Sequence, residues 1–152
     1  METILSQNTT DKNSHSAYLS LRRRFPAWSA VMQAPVRSIA DCIRQGGLAN
    51  IKAPRIKNVL KIIRKREGRL SLARLSRMST GEATNYLTSL PGVGIKTANC
   101  VLLFSLRRPV MPVDTHVDRV ARRLGWIDRR TSVEDAGERI QPFVPPRLML
   151  AV

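Results

Sequence analysis

The chain has 152 residues, 43% of them apolar and 24% charged, which suits one compact domain or two small lobes of an ordinary soluble protein. Its 26 lysines and arginines against 11 acids leave a formal charge of +15; that balance favours a polyanionic partner, nucleic acid first, and says nothing by itself about catalysis. No stretch approaches the roughly 18 apolar residues of a membrane-spanning helix, the first residues lack the basic-then-apolar pattern of a signal peptide, and Cys42 and Cys100 form neither a disulfide scaffold nor a Cys-x-x-Cys pair.

Apolar residues recur at helical spacing and strand-like alternation is scarce, so the predicted class is all-α. With aromatic residues at 5%, the core must rest on Leu, Ile, Val, Ala and Met. Ile4-Leu5 reads as the tail of a core helix. Asp11 is expected to cap a helix running to about Arg24, ended by Phe25-Pro26. Pro35 suits the first turn of a helix carrying Val36, Ile39, Ala40 and Ile43 on one side, which Gly46-Gly47 stops. A longer helix is expected from Pro54 to Glu67. Ile56, Val59, Leu60, Ile62 and Ile63 form its buried face, and Arg55, Lys57, Lys61, Arg64, Lys65 and Arg66 fill much of the rest. Those cations are either solvated or in contact with phosphate.

Leu70 to Met78 reads as a short helix or turn. Ser79 or Thr80 caps the next helix, with Glu82 in its first turn, reaching about Leu90. Further helices are expected over Ile95–Leu106, Thr115–Leu124, Ser132–Ile140 and from Pro145 to the end. The two cysteines read as small buried thiols of a reducing compartment. With His15 and His116 they offer no metal-ligand spacing. Both ends of the chain are abrupt and apolar, which suggests a fragment.

The most informative stretch is Leu90-Pro91-Gly92-Val93-Gly94-Ile95-Lys96-Thr97-Ala98. Glycines at alternate positions join two helical patterns, permitting positive φ and close approach of a backbone-following ligand. The following helix offers free amides and a positive dipole end to a phosphate. A Rossmann turn would need a preceding strand and a third glycine where Thr97 stands, and a P-loop would need a longer spacing before Gly-Lys. An ordinary interhelical turn stays open. In so basic a protein the motif favours backbone contacts that position DNA without reading its sequence.

Lys96 falls in the first turn of that second helix, where an amine facing a partly closed pocket suits a nucleophile. A phosphate-binding or solvent-facing lysine is the plainer alternative. Val110-Met111-Pro112-Val113-Asp114-Thr115-His116 then delivers an acid to the start of another helix. Asp114 can act there purely as an N-cap. A capped carboxylate is also fixed and ionised, fit to activate a nucleophile or to stabilise positive charge at a sugar carbon.

On these two segments the chain resembles the helix-hairpin-helix DNA glycosylase superfamily, with its nearest likeness to the endonuclease III group. Leu90–Ala98 looks like that family's hairpin, and Val113-Asp114-Thr115-His116 like the segment bearing its catalytic aspartate. The 18-residue interval between Lys96 and Asp114 also agrees. Two further segments are similar. Leu5-Ser6-Gln7-Asn8-Thr9-Thr10-Asp11 resembles the motif whose polar residue fills the gap left by a flipped nucleotide, with Gln7 or Asn8 in that role. Gly47-Leu48-Ala49-Asn50-Ile51-Lys52-Ala53 resembles the loop whose leucine, here Leu48, wedges into the duplex.

The resemblance implies a two-lobed core truncated at both ends. Its hairpin module would span about residues 80–106 and its central helical lobe about residues 12–106. The N-terminal segment would join about residues 107–152 in a second lobe. It further implies a bifunctional DNA N-glycosylase and abasic-site lyase. Lys96 and Asp114 would be catalytic, with an oxidised pyrimidine as the expected damaged base. DNA contacts would come from Gln7, Asn8, Leu48, Gly92, Val93, Gly94, Ile95, Thr97 and His116. A monovalent cation is implied on the carbonyls of Gly92, Val93 and Gly94. An iron–sulfur cluster of the [4Fe–4S] type is implied only for a longer parent chain, since neither cysteine sits at a ligand position. The partner would be double-stranded DNA holding a damaged base or abasic site, met by a cytoplasmic, nucleoid-associated monomer without membrane contact. A non-catalytic helix-hairpin-helix module, or an inactive glycosylase fragment, stays open as the alternative.

Overall fold

A computed structural model describes residues 1–149. Among the described residues the backbone consists of helices and their connections, without a strand, as the apolar spacing predicts. The chain divides into two compact units. Unit 1 takes in Met1–Arg77 and Leu90–Gly92, and unit 2 residues 78–89 with the chain from Val93 onward.

Unit 1 is built from α1 (Glu2–Leu5), α2 (Asp11–Arg24), α3 (Trp28–Gln33), α4 (Val36–Ile43) and α5 (Ala49–Glu67). Thr10, not Asp11, caps α2: its hydroxyl accepts the Asn13 amide at 3.3 Å. Asp11 instead enters the first turn, where a negative charge suits the dipole, as Arg22, Arg23 and Arg24 suit the last turn. Helix α3 is too short to show a period and has no side-chain cap, which is why the sequence pattern passes over it. In α4, Ile39, Ala40 and Ile43 are buried while Val36 stays exposed.

The expected start of α5 at Pro54 is corrected to Ala49. Proline is commonest in a helix's first turn, so the pattern points there. Inside a helix it forfeits the bond to the carbonyl four residues back, here that of Asn50, a residue exposed to solvent. Ile56, Val59, Leu60 and Ile63 are buried and Ile62 half-buried; full burial of each such side chain contributes about 1.5–3 kcal/mol. Several of the helix's cations serve the fold itself. Lys57 Nζ donates to the Ala34 carbonyl at 2.6 Å, and Arg64 donates to the Gly68 carbonyl just beyond the helix end.

Unit 2 contains α6 (Thr80–Thr88), α7 (Ile95–Leu106), α8 (Thr115–Arg123), α9 (Val133–Ile140) and α10 (Pro146–Met149). Ser79 and Glu82 form a reciprocal capping box at α6. Val113, Ala121, Ile127, Ala136 and Ile140 make a small core, with Met111, Val117 and Val144 packed on it. Arg122 braces α8, its Nε and Nη2 each 2.8 Å from an Asp118 oxygen, while the same guanidinium donates to the Thr131 carbonyl. The helix expected from Pro145 to the end is described only as α10, and its continuation lies outside the described residues.

Candidate functional site

In unit 1 the two segments that the resemblance assigns to probing DNA both leave ordinary helical geometry. Leu48 precedes α5 with φ 51°, ψ 33° and its side chain 48% exposed. Asn8 follows α1 with φ 52° and is exposed. Left-handed backbone is tolerated by Asn and costs a leucine roughly 1–2 kcal/mol. An apolar side chain held outward at that cost is the kind of strain that collects at ligand-contacting positions.

Both segments are tied down by one buried lysine. Lys52, 1% exposed, donates from Nζ to the carbonyls of Leu5 and Gly46, each at 2.7 Å. Those carbonyls lie two residues before Gln7 and Leu48. Burial, and secondarily the neighbouring Arg55 cation, holds the Lys52 ammonium below its ordinary pKa. Gln7 itself is half-buried. Its Nε2 donates to the Gly92 carbonyl at 3.0 Å, and its Oε1 accepts from Arg55 Nη1 at 3.0 Å. Sequence reasoning assigned Arg55 only to a basic face and Lys52 to no role.

The two hairpin glycines differ. Gly92 has φ +74°, and a Cβ there would fall 2.1 Å from Arg55 Nε, so both backbone and neighbour demand glycine. Gly94 is extended, φ −87° and ψ 177°, and caps α7 without a side chain. A Cβ on Gly94 would meet nothing within 4 Å, which leaves open space over the start of α7. The Gly92 carbonyl accepts from Gln7 Nε2, and the Arg55 side chain occupies the space where a Gly92 Cβ would stand. Cys42 and Cys100 lie half-buried in separate units, a correction to their expected enclosure. Among the described residues no group of three or more His, Cys, Asp or Glu side chains could hold a metal ion, so these residues do not fit an iron–sulfur cluster.

Unit 2 contains both residues expected to carry chemistry. Lys96 is exposed in the first turn of α7. Asp114 caps α8, its Oδ1 accepting the His116 and Val117 amides at 2.9 Å each. The Val117 amide is the main cause holding this carboxyl below the ordinary range; the His116 amide adds to it, then the charges of Lys96 and His116. Thus the carboxylate feels the lysine's charge. Cys100, one turn along α7, lies between them electrostatically: burial pushes its thiol up, and Lys96, hydrogen-bonded to it, pulls the other way.

The segment delivering Asp114 is itself gripped. Asn99 Nδ2, on α7, donates to the Met111 carbonyl at 3.1 Å. Gly137, on α9, comes so close that a Cβ would fall 2.9 Å from the same oxygen. Neither residue stood out in the sequence. Only the partner Met111, 12 residues beyond Asn99, reveals their purpose. Thr97 is buried, Ile95 half-buried and His116 exposed.

A family model described as HhH-GPD superfamily base excision DNA repair protein matches residues 1–146. The chain is 45% identical over 145 residues to a candidate DNA glycosylase of Arabidopsis thaliana, covering 95% of this chain and 50% of that one. It is 34% identical over 149 residues to an endonuclease III of Thermotoga maritima, covering 97% and 65%. A solved structure of endonuclease III trapped as a covalent intermediate on DNA matches with TM-score 0.81 at 27% identity, over 99% of this chain and 66% of that one. The chain therefore spans about half the length of the first of these relatives and about two thirds of the others.

Proposed function

The chain belongs to the HhH-GPD superfamily of base excision DNA repair proteins, and from that membership we propose that it is the core of a bifunctional DNA glycosylase and abasic-site lyase. Its substrate is duplex DNA, met as a monomer, and the damaged base is an oxidised pyrimidine. The observation that carries this reading is that the Asp114 carboxylate, fixed as the N-cap of α8, lies within the field of the Lys96 cation in the first turn of α7, in one unit.

In the reaction, a damaged nucleotide leaves the stack, at a cost of a few kcal/mol that is smallest for weakened pairs. Leu48 wedges the duplex and Gln7 or Asn8 enters the vacated space. The Lys96 amine attacks C1′ of the deoxyribose as the N-glycosidic bond breaks, its electron pair leaving with the base. The ionised Asp114 assists that attack or offsets positive charge on the sugar. The sugar then opens to a Schiff base on Lys96. Loss of a C2′ proton sends electrons through to expel the 3′ phosphate, which cuts the strand; water finally releases the sugar fragment from the lysine. One amine thus serves both steps.

The test is strand cleavage on duplexes holding either an abasic site or an oxidised pyrimidine. Wild type is expected to cut both and Lys96→Ala neither. A hairpin module that only grips DNA predicts tight binding with background cleavage in every variant, and that outcome overturns the enzymatic reading.

A further inference from the structure

We propose that Arg55 is a positioning residue for Gln7, fixing the orientation of its amide so that Gln7 meets the duplex preorganised. The inference rests on the reading above, in which Gln7 or Asn8 enters the space left by a flipped nucleotide, and takes Gln7 as that residue. Arg55 lies on α5, half-buried, 48 residues from Gln7. A glutamine amide can ordinarily be turned over, exchanging its oxygen and nitrogen. Here Arg55 and the Gly92 carbonyl leave one choice: a guanidinium only donates and a carbonyl only accepts. Oε1 therefore faces Arg55 Nη1 at 3.0 Å and Nε2 faces the Gly92 carbonyl at 3.0 Å.

The surroundings are fitted to this purpose. Gly92 lacks the Cβ that would fall within 2.5 Å of three Arg55 side-chain atoms, so the hairpin's glycine is also the seat of the guanidinium. Among the described residues Arg55 makes no ion pair, and its charged neighbour one turn back is the buried cation Lys52. Like charge opposes placing an arginine there, and its hydrogen bond to Gln7 supplies a reason for one. A lysine offers a point charge without the planar fork and would not lie flat on the hairpin. Fixing a side chain before binding removes ordering entropy that association would otherwise cost.

The competing role for Arg55 is a direct phosphate contact, and the two roles part company in solution. The measurement is binding of the full chain, by fluorescence anisotropy, to a duplex holding a tetrahydrofuran abasic analogue, which no amine can attack. Arg55→Ala and Gln7→Ala are each expected to weaken duplex binding roughly 10-fold, with the double variant no weaker than either single one. The salt dependence of Arg55→Ala is expected to match wild type, and Arg55→Lys not to restore affinity. Binding to the same strand without its complement should change less than about 2-fold, because no orphan base awaits Gln7.

Additive losses, rescue by Arg55→Lys, and a salt slope lowered by about one phosphate would overturn the proposal. If Arg55→Ala melts early, Arg55→Lys carries the test alone: affinity like that of Gln7→Ala supports positioning, and affinity like wild type refutes it. Because the analogue needs no chemistry, failure of the enzymatic reading shows separately, as absence of cleavage on a natural abasic site. Coupling between Arg55 and Gln7 would still be read in that case.

Discussion

The two units hold their candidate functional side chains in different ways. In unit 1 the groups that fix the Gln7 segment come from far along the chain: Arg55 is 48 residues from Gln7, Gly92 is 85 away, and Lys52 is 47 from Leu5. In unit 2 the Asp114 carboxylate is held by amides two and three residues on, and Lys96 simply occupies the first turn of α7. The side chains proposed to meet the duplex are braced mainly over long range, whereas the proposed reacting pair is set by helix starts. The first arrangement fails by disorder and the second by loss of a charge or an amine.

The sharpest way to break that contrast is to remove the amine. Lys96→Ala is expected to lower abasic-site cleavage at least about 1,000-fold, since a covalent route has no substitute for its nucleophile. Its thermal midpoint should stay near wild type because the side chain is exposed. Unchanged cleavage would move the chemistry elsewhere.

Next in size is Asp114, where two variants separate charge from cap. Asp114→Asn keeps a good N-cap, so stability should hold while cleavage falls about 100-fold or more. Asp114→Ala should lose similar activity and also about 1 kcal/mol of stability. With its pKa lowered on folding, the ionised carboxylate contributes stability fully above the ordinary carboxylate range. That contribution is lost as pH falls through the lowered folded value. The stability gap between wild type and Asp114→Ala should therefore close only in acid, as read by urea unfolding across pH.

On the long-range side, Lys52→Met should cost about 1–3 kcal/mol by leaving two buried carbonyls unpaired. Duplex affinity should weaken more than cleavage chemistry on bound DNA. Because the folded Lys52 pKa is depressed, the unfolded chain binds more protons between the folded value and the ordinary lysine value. Wild-type stability should then rise with pH through that alkaline window, an increment absent from Lys52→Met. A neutral amine still has two N–H donors for its two carbonyls.

The smallest effect serves as a control. Ser79→Ala removes half of the α6 capping box and should cost about 1 kcal/mol without altering cleavage at equal folded fraction. A large catalytic loss there would mean that the reacting pair depends on more than its own helix starts.

The contrast also explains what the sequence makes legible. Helix α7 begins at Ile95 and α8 just after Asp114 because Gly94 and Asp114 are local signals, readable from neighbouring residue types. Ser79 and Glu82 are legible for the same reason. Pro54 misleads because the local rule sets proline at a helix start, whereas the helix begins five residues earlier. Arg55, Lys52, Asn99 and Gly137 are silent because each takes its meaning from a partner 12 to 48 residues away. A cation on a basic face looks the same in sequence whether it meets water, a phosphate or Gln7.

The most direct test of the central claim is to incubate the protein with duplex DNA holding an abasic site, reduce with borohydride, digest, and locate the adduct by mass spectrometry. A sugar remnant on the peptide containing Lys96, absent in Lys96→Ala, is the predicted result. A remnant on another lysine, or no remnant under conditions where the strand is cut, would contradict it.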